Sequence, residues 1–479
     1  MSTVLLESLA AWWPEFTLSL GALAIILFGV WVKRALPLFA VAWATLLAAA
    51  CALWNAPALP PAGAFFGLIL CDPFSLAFRW LVLGVTALVT LLIMGSADTD
   101  GTSLGEYLGL LLLVAVGLMV MAEANHLLMA YVAMELVSLG SYALVGFLHD
   151  RRAAEASLKY LLFGALASGV MLFGMSLLFG LTGVLGFAEL LQATRQLDPS
   201  SANALAVAVG LLLVGLGFKI SMVPFHQWTP DAYEGAPVPV TALLSVAPKA
   251  AGVALLLRLT AALEPAWPAV MPLILGLTVA TMTFGNVAAL VQTNVKRLLA
   301  YSTIGQVGYV LIGFAVGTPQ GTEALLVYLA AYTLMNLGAF ACVVAVVNGT
   351  GSESIEAFRG LAARAPDIAL CGTLFLLSLA GIPPLVGFIG KFLLFGAALS
   401  SLHVGLALAG ILNSAVALYY YVNIVRLMYF TAPQDVAPLT ARRPLRIALG
   451  VCATATVWLG LFPGPLLAVL RWAVPVNLL

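Results

Sequence analysis

Long apolar stretches follow one another along almost the whole chain, and each is about 20 residues long, the length that an α-helix needs to cross a bilayer. Gly, Pro and charged residues separate them. Their centres lie near residues 24, 45, 84, 114, 137, 169, 212, 250, 278, 307, 335, 384, 416 and 458. Backbone groups in lipid must be satisfied within the segment, and the stretches are too long for barrel strands. The sequence therefore predicts an all-α polytopic membrane protein with about 14 transmembrane helices.

The composition excludes an ordinary soluble protein, since only 8% of the 479 residues are charged and 63% are hydrophobic. A soluble domain carries roughly 25% charged residues. The net charge is zero and there is no basic run, which argues against nucleic-acid binding. The first ten residues lack a basic region, so we expect no cleaved presequence.

We expect neither a metal nor a cofactor in this chain. The five Cys include no CxxC pair and have no His at ligand spacing. The sequence has no glycine-rich nucleotide fingerprint and no pair of histidines spaced for haem or di-iron. The protein is therefore expected to move charge without doing redox chemistry itself.

The distribution of Lys and Arg among the loops predicts the orientation in the membrane. Alternate loops, starting after the first helix, hold eleven basic residues: Lys33, Arg34, Arg151, Arg152, Lys296, Arg297, Arg359, Arg364, Arg442, Arg443 and Arg446. The other face holds three, Arg195, Arg258 and Arg471. The basic face is cytoplasmic, so an even number of helices puts both termini on the outer side. The loop GSADTDGTSLGE is acidic on the cytoplasmic side, but Asp and Glu contribute little to this bias.

Six charged residues lie inside the predicted spans. They are Arg79, Glu135, Lys159, Lys219, Lys249 and Lys391. Each costs about 2.5–3.5 kcal/mol at a helix centre, so such residues are taken as functional by default. The chain has only six lysines, and four of them belong to this group. This excess of buried amines is the strongest functional signal in the sequence.

Glu135, in LLMAYVAMELVSLGSYALVGF, is the only carboxylate that we place near the middle of a span. Without a partner it would take up a proton, whereas a nearby ammonium would keep it ionised. Lys219 and a charge from an adjoining subunit are the candidate partners. The alternative is a structural ion pair with no role in transport.

Lys219, Lys249 and Lys391 outnumber the carboxylates available to neutralise them. Burial and mutual repulsion both favour the neutral form of an amine, which allows it to exchange protons. A row of such amines forms a proton relay. For any one of them the alternative is a lysine that snorkels to the interface, above all for Lys249, which follows a Pro.

Three further charged or titratable residues lie in the predicted spans or at an interruption. Lys159, in AEASLKYLLFG, is either the start of the relay or an interface anchor. His226, in VPFHQWTPD, titrates near neutrality and is either a proton-uptake residue or a structural histidine. Arg79 is interpreted as structural, because an arginine does not release its proton at working pH.

Two stretches rich in Gly and Pro interrupt the spans, FKISMVPFHQWTPDAYEGAPVPV and SLAGIPPLVGFIGKF. They contain Lys219 and Lys391, which are 172 residues apart. Interrupted helices at corresponding positions of two halves are typical of the binding site in transporters built from inverted repeats. The alternative is that the prolines merely kink two continuous helices.

Five ordered motifs resemble the antiporter-like membrane subunits of respiratory complex I, and the similarity runs over essentially the whole chain. The motifs are MELVSLGSYALVGF, AEASLKYLLFGALASGVMLFGMSLLFG, GFKISMVPFHQWTPDAYEGAPVPVTALLSVAPKAAG, NVKRLLAYSTIGQVGY and LAGIPPLVGFIGKF. Within this family the chain looks most like the N type of bacterial NADH:quinone oxidoreductase. Lys391 occupies the position at which the M type carries a glutamate. The fourteenth span is not followed by the long amphipathic helix that characterises the L type.

The resemblance implies two five-helix units related by inversion, with discontinuous seventh and twelfth helices. It divides the chain into an N-terminal three-helix segment (1–100), a first repeat (101–262), a second repeat (263–430) and a C-terminal helix (431–479). The family has a glutamate in its fifth helix and lysines in its seventh, eighth and twelfth helices. By resemblance these correspond, in that order, to Glu135, Lys219, Lys249 and Lys391.

The resemblance also implies a function, a location and partners. It implies a non-redox, proton-translocating subunit in the bacterial inner membrane, coupled to quinone reduction elsewhere in the complex. The implied partners are membrane-arm subunits of the K and M types, the lateral helix of the L type and lipid. Protons are the transported species, and no nucleic acid is involved.

Three other functions stay open at this point. An Mrp-type cation/proton antiporter subunit shares the motifs, although sodium favours carboxylate or carbonyl oxygen ligands over a lysine axis. A non-pumping scaffold predicts that Lys219→Ala leaves proton transport intact. Quinone binding by this chain itself predicts photo-crosslinking to a quinone analogue.

Overall fold

The computed structural model describes residues 2–32, 34–56, 64–98, 103–433 and 437–474. Lys33 and residues 99–102 of the acidic loop, both used to predict the orientation, lie outside the described residues. Within the described ranges the regular structure is helical, and connections between the helices are short.

Twenty α-helices make up the fold among these residues. The first ten are α1 (Ser2–Ala11), α2 (Trp13–Trp31), α3 (Ala35–Trp54), α4 (Pro73–Gly95), α5 (Leu104–Glu123), α6 (Leu127–Val145), α7 (Arg151–Thr182), α8 (Phe187–Arg195), α9 (Ala202–Ile220) and α10 (Trp228–Gly235). The second ten are α11 (Val238–Ala262), α12 (Trp267–Ala289), α13 (Val295–Val316), α14 (Pro319–Thr350), α15 (Leu361–Arg364), α16 (Pro366–Ala380), α17 (Val386–Ser400), α18 (Val404–Phe430), α19 (Arg443–Leu461) and α20 (Gly464–Ala473).

Thirteen of the described helices are long and apolar enough to cross a membrane. They are α2 to α7, α9, α11 to α14, α18 and α19. Thirteen of the predicted centres fall within these helices, and the centre near residue 384 falls between the shorter apolar helices α16 and α17. The predicted all-α polytopic fold is therefore confirmed, and a pair of half-length helices occupies the remaining predicted span, the twelfth along the chain.

The chain leaves helical geometry after α9, at the first of the two stretches rich in Gly and Pro. α9 ends at Ile220, and Ser221 takes a left-handed conformation with φ of 65°. A cis Val223–Pro224 bond follows, and helix resumes at Trp228 in α10. Because Pro lacks an amide hydrogen, it cannot continue the helical hydrogen-bond ladder through this gap.

The second interruption separates α16 from α17. α16 ends at Ala380, and Gly381 has φ of 91°, a conformation that glycine adopts more readily than other residues. The gap contains the cis Pro383–Pro384 bond, and α17 begins at Val386. Among the spans, the interrupted helix is the fourth counted from α5 and again the fourth counted from α12.

The helices α11, α13 and α14 form the centre of the bundle. α11 is enclosed by protein over its membrane-crossing length, and α13 and α14 are nearly so. The outer helices instead expose large apolar side chains, such as Leu20 of α2, Leu47 of α3 and Leu166 of α7. Lipid can cover these outer faces, whereas polar groups that must avoid lipid have partners available on the three central helices.

Three basic residues that the sequence interpretation placed in loops, Arg258, Lys296 and Arg364, are buried in helices, so that interpretation was wrong for them. Arg258 of α11 is 0% exposed, and its Nη2 lies 2.7 Å from the Asp72 carboxylate. Lys296, in the first turn of α13, is 2% exposed, and its Nζ lies 2.6 Å from Glu353. Hydropathy does not reveal that other segments cover these helix ends.

Candidate functional site

Lys219 lies in the last turn of α9, directly before the first interruption, and its side chain is buried. Its Nζ donates a hydrogen bond to Oγ of Ser138 in α6, 2.7 Å away. Ser138 lies one turn after Glu135 in the same helix, so the hydroxyl connects the amine to the neighbourhood of the carboxylate. Among the described residues, no carboxylate lies within 4.0 Å of Lys219.

Glu135 lies at the edge of the bundle and is half-buried. Its Oε1 accepts a hydrogen bond from Oγ of Ser168 in α7. The next residue, Leu136, and Leu139 are exposed on the surface that would face lipid or another subunit. The structure therefore places Glu135 one turn of α6 from the serine that accepts from Lys219, with no direct contact between the two charged groups, and Glu135 is open to influence from outside the chain.

Lys249 is enclosed in the middle of α11 and is 1% exposed. Its Nζ has no hydrogen-bond partner among the described residues and lies 4.8 Å from the Trp228 ring centroid and 5.2 Å from that of Tyr233. Both rings belong to α10, the short helix after the first interruption. An ammonium over aromatic faces gains cation–π attraction, but its hydrogen-bonding capacity stays unfilled.

Lys391, in α17, approaches the end of α16 across the second interruption. Its Nζ donates to the carbonyl oxygens of Leu379 (3.0 Å) and Ala380 (3.2 Å) and lies 4.3 Å from the Tyr309 ring centroid. The last carbonyls of a helix carry partial negative charge and have no partners within the helix. Two backbone carbonyls and the Tyr309 ring therefore form a cation-binding position at the break, and none of the described carboxylates lies within 4.0 Å of Lys391.

Hydroxyl and amide side chains lead from α11 toward the second half of the chain. Ser245, one turn before Lys249, accepts a hydrogen bond from Nδ2 of Asn336 in α14 (2.6 Å). The hydroxyl of Tyr332, one turn before Asn336, lies 3.0 Å from the Ser245 carbonyl oxygen and 3.0 Å from Oγ1 of Thr303. These contacts join the three central helices beside Lys249.

We call Ser245, Asn336, Tyr332, Thr303 and Gln306 the polar file. Gln306, one turn after Thr303 in α13, extends it to Lys391. Its Nε2 donates to the carbonyl oxygen of Leu379 (3.2 Å), the same oxygen that accepts from Lys391. Its Oε1 accepts from the hydroxyl of Tyr328. Hydrogen-bonding groups therefore lead from the surroundings of Lys249 to Lys391. The one step that is not a hydrogen bond is the helical turn between Thr303 and Gln306.

The remaining predicted residues lie at the margins of this arrangement. His226 is buried in the gap between α9 and α10 and packs edge-on against Phe284, with ring centroids 4.5 Å apart. The Lys159 side chain is 42% exposed and pairs with Glu155 (2.9 Å) and Asp231 (3.1 Å). Arg79 lies elsewhere in the bundle, away from the three lysines.

Lys296 forms part of a cluster of ion pairs at the membrane face where α13 begins. Its partner Glu353 also accepts hydrogen bonds from Arg152 (2.6 Å) and Asn294 (3.0 Å). Burial alone would raise the pKa of Glu353, but Lys296, Asn294 and Arg152 outweigh this effect and hold the pKa below its usual value. An open cavity of about 710 Å³ adjoins Glu353 and Arg152 and is large enough to admit water to this cluster.

Sequence reasoning did not select the hydroxyl and amide residues of the polar file. Ser, Thr, Tyr, Asn and Gln lower the hydropathy of a span only slightly, so none of them stands out singly. The one available signal was the motif NVKRLLAYSTIGQVGY, which contains Thr303 and Gln306 and contributed only to the family resemblance. In the described ranges, no group of three or more His, Cys, Asp or Glu side chains is placed to hold a metal ion.

Comparison with known protein families shows the family to which the chain belongs. Residues 124–417 match the family described as NADH:quinone oxidoreductase/Mrp antiporter, TM, and this range contains Glu135, Lys219, Lys249 and Lys391. The chain belongs to this family. The match also covers both interruptions and the three central helices, so all parts of the candidate site lie in the family's shared region.

Two relatives, each a subunit of a quinone oxidoreductase, resemble the chain over nearly its full length. NADH-quinone oxidoreductase subunit N of Anaeromyxobacter sp. (strain Fw109-5) is 40% identical over 500 residues, covering 97% of this chain and 95% of the relative. NAD(P)H-quinone oxidoreductase subunit 2 of Thermosynechococcus vestitus is 42% identical over 476 residues, covering 96% and 90%.

Solved structures share the fold of this family member. A chain in the structure of respiratory complex I from Thermus thermophilus with bound aureothin is 32% identical, with a TM-score of 0.82 and coverage of 96% of this chain and 99% of that one. A chain in the structure of the Mrp complex from Dietzia sp. DQ12-45-1b has the same TM-score, 24% identity and coverage of 100% and 98%. At that identity the second likeness concerns the fold alone.

Proposed function

We propose that this chain is a non-redox, proton-translocating membrane-arm subunit of a bacterial NADH:quinone oxidoreductase. The protons move along Glu135, Lys219, Lys249 and Lys391. One observation carries the proposal: among the described residues, three buried amines have no carboxylate within 4.0 Å, and a file of hydrogen-bonding side chains leads from Ser245, one turn before Lys249, across the central helices to Lys391. Such groups accept and release protons, whereas a structural role would favour direct ion pairs.

The proposed transfer step depends on repulsion between amines in a low-dielectric interior. Lys219 and Lys249 lie close enough for their charges to repel each other. In this scheme a negative charge on Glu135, one turn of α6 from the serine that accepts from Lys219, attracts the ammonium of Lys219. When that influence weakens, the proton moves toward Lys249 and then along the polar file to Lys391. His226 and Lys159 belong to the proton-uptake side in this scheme.

Coupling to quinone reduction enters from outside the chain in this proposal. Glu135 is half-buried at the bundle edge, so a charge moving in an adjoining subunit acts on it through a thin protein layer. We propose the K and M types as neighbours, with the lateral helix of the L type along one side. The exposed apolar residues around Glu135 are suited to contact with protein as well as with lipid.

We further propose that both termini lie on the outer side of the inner membrane and that the two sets of five spans are inverted repeats. The distribution of ion pairs supports the orientation, because Arg152 and Lys296 belong to one cluster with Glu353, while Arg195 pairs with Glu264 elsewhere. The position of the interrupted helix, fourth in both sets, supports the repeat.

The deciding experiment measures NADH-driven proton pumping by the assembled complex in proteoliposomes. Lys219→Ala, Lys391→Ala and Glu135→Ala are expected to lower pumping while the complex still assembles. Lys219→Arg is expected to impair it as well, because a guanidinium keeps its proton. Arg195→Ala, which breaks an exposed ion pair, is the control and should pump normally.

Normal pumping stoichiometry in all three assembled alanine variants would overturn the proposal and favour a scaffold. A transport signal that requires sodium and persists with a protonophore would favour a cation antiporter instead. Both results are distinguishable from an assembly defect, since native gel electrophoresis of the complex reports assembly separately.

A further inference from the structure

A second group of buried charges lies away from the lysine axis, where the beginnings of α2 and α4 meet the ends of α5 and α11. Glu15 and Glu123 are both 0% exposed, and Arg79 between them is 2% exposed. Glu15 lies in the first turn of α2 and Glu123 is the last residue of α5. We call Glu15, Arg79 and Glu123 the outer triad, after the side on which the orientation proposed above puts it.

The guanidinium of Arg79 is directed at only one of the two carboxylates. Its Nε and Nη2 donate to the two oxygens of Glu15, at 2.8 and 2.6 Å, and Nη2 also donates to the Ala11 carbonyl (3.0 Å). Oε1 of Glu123 lies 2.9 Å from the same Nε, but the single hydrogen of that nitrogen points to Glu15. Neither oxygen of Glu123 has a hydrogen-bond partner among the described residues.

Counting charge around the outer triad shows one negative charge in excess. The other charged or titratable groups that face it are Asp72, Arg258 and the Cys71 thiol. Arg258 is paired with Asp72 at 2.7 Å and hydrogen-bonded to the Ala122 carbonyl, also at 2.7 Å. Two guanidiniums therefore face three carboxyl groups. With all three ionised, a buried site would hold an unpaired carboxylate, which is among the most costly arrangements in a protein interior.

The arrangement of the two glutamates points to how this cost is avoided. Both carboxylates approach one nitrogen, and their negative charges repel each other. Two carboxylates held this close take up a single proton between them, as in other paired-carboxylate sites. A proton on Glu123 supplies the missing donor, because its O–H can donate to Glu15 while Arg79 continues to donate to Glu15 as well.

We propose that Glu15 and Glu123 hold one exchangeable proton between them, so that the outer triad is a proton-binding site separate from the Glu135–Lys391 axis. Uptake converts one carboxylate to a carboxylic acid and neutralises the site. Release returns the proton to water and leaves both carboxylates on Arg79. Asp72, whose side chain is 27% exposed, marks the side on which water reaches the cluster.

Infrared difference spectroscopy of the assembled complex in lipid tests this proposal. We expect the wild type at neutral pH to show the C=O stretching band of a buried carboxylic acid, shifted in D₂O. Glu123→Gln and Glu15→Gln should each abolish that band, since either leaves one carboxylate fully paired with Arg79. The two variants lie on different helices, so the assignment does not depend on the assembly of one of them. Glu323→Gln, at the Arg471 ion pair, is the control and should retain the band.

Two results would overturn the proposal. One is a band that survives in both glutamine variants, which would place the proton on another carboxyl group. The other is a wild-type spectrum without the band, which would mean that the outer triad is fully ionised and purely structural. The pumping experiments on Lys219 and Lys391 are independent of both results.

Discussion

The ammonium of Lys219 donates its hydrogen bond to Ser138, at 2.7 Å, and Glu135 lies one turn earlier in α6 with its own hydrogen bond from Ser168. The two opposite charges thus influence each other without direct contact. A direct buried ion pair would hold the proton firmly on the lysine, because separating it would leave two unpaired charges. Without direct contact, the interaction between the two groups is weak enough to change during turnover.

Ser138→Ala removes the hydroxyl that accepts from Lys219. A hydrogen bond to a charged group contributes about 1.5–3 kcal/mol, so the protonated lysine loses a comparable stabilisation. We expect a marked loss of proton pumping in proteoliposomes and partial recovery in Ser138→Thr, which restores a hydroxyl. Ser157→Ala is the control, since that hydroxyl bonds only the Tyr142 carbonyl. Equal pumping by Ser138→Ala and wild type would contradict the role given to Ser138.

Gln306→Leu interrupts the polar file next to Lys391. The change leaves the buried Tyr328 hydroxyl without its acceptor, at a cost of about 1–3 kcal/mol, and removes the donor to Leu379. We expect a complex that assembles and pumps poorly. Gln292→Leu serves as the matched control, because the amide of Gln292, just beyond α12, bonds only the Ala288 carbonyl at the end of that helix. If both leucine variants pump alike, the file is not a proton path.

Gly381→Ala tests the second interruption. Gly381 has φ of 91°, and an added Cβ would lie 3.0 Å from Cδ of Lys391. A side chain in this conformation costs roughly 1–2 kcal/mol, and the contact displaces the lysine from the carbonyls of α16. Thermal inactivation of the complex should occur at lower temperature, with reduced pumping. Gly396→Ala, in open space on α17, should be neutral or stabilising by about 0.5–1 kcal/mol. The reverse order would refute this account of Gly381.

The lowered pKa of Glu353 predicts how pH acts on the ion-pair cluster at the start of α13. Lys296 and its other partners hold the pKa of Glu353 below its usual value, so its stabilising effect is present above that usual value and is lost as the pH falls through the lowered pKa. Hydrogen exchange in the segment after α14, expressed relative to the intrinsic amide rate at each pH, should therefore stay slow at neutral pH and become faster only in acid. In Glu353→Gln it should be fast throughout, whereas Glu356→Gln, at an exposed pair with Arg359, should match the wild type. Slow exchange in Glu353→Gln at neutral pH would argue against this role.

The span positions could be predicted from the sequence because crossing a bilayer demands an apolar length that few other structures need. The buried amines could be predicted for the same reason, since a lysine in such a stretch is conspicuous. Ser138, Gln306 and Tyr332 could not, because their polarity is small and their value depends on neighbours from distant helices. Glu15 and Glu123 were missed because each stands at the end of an apolar run, where a carboxylate is normally solvated.

The enclosure of α11 has a consequence for how the protein responds to its bilayer. Where lipid covers the exposed faces of α6 and α7, hydrocarbon lies beside Glu135, but protein surrounds Lys249 on every side. Replacing one phospholipid with another therefore alters the medium around the glutamate and leaves that of the central lysine unchanged. Sensitivity to membrane composition is therefore expected at Glu135, on the periphery of the bundle, and not at Lys249 in its centre.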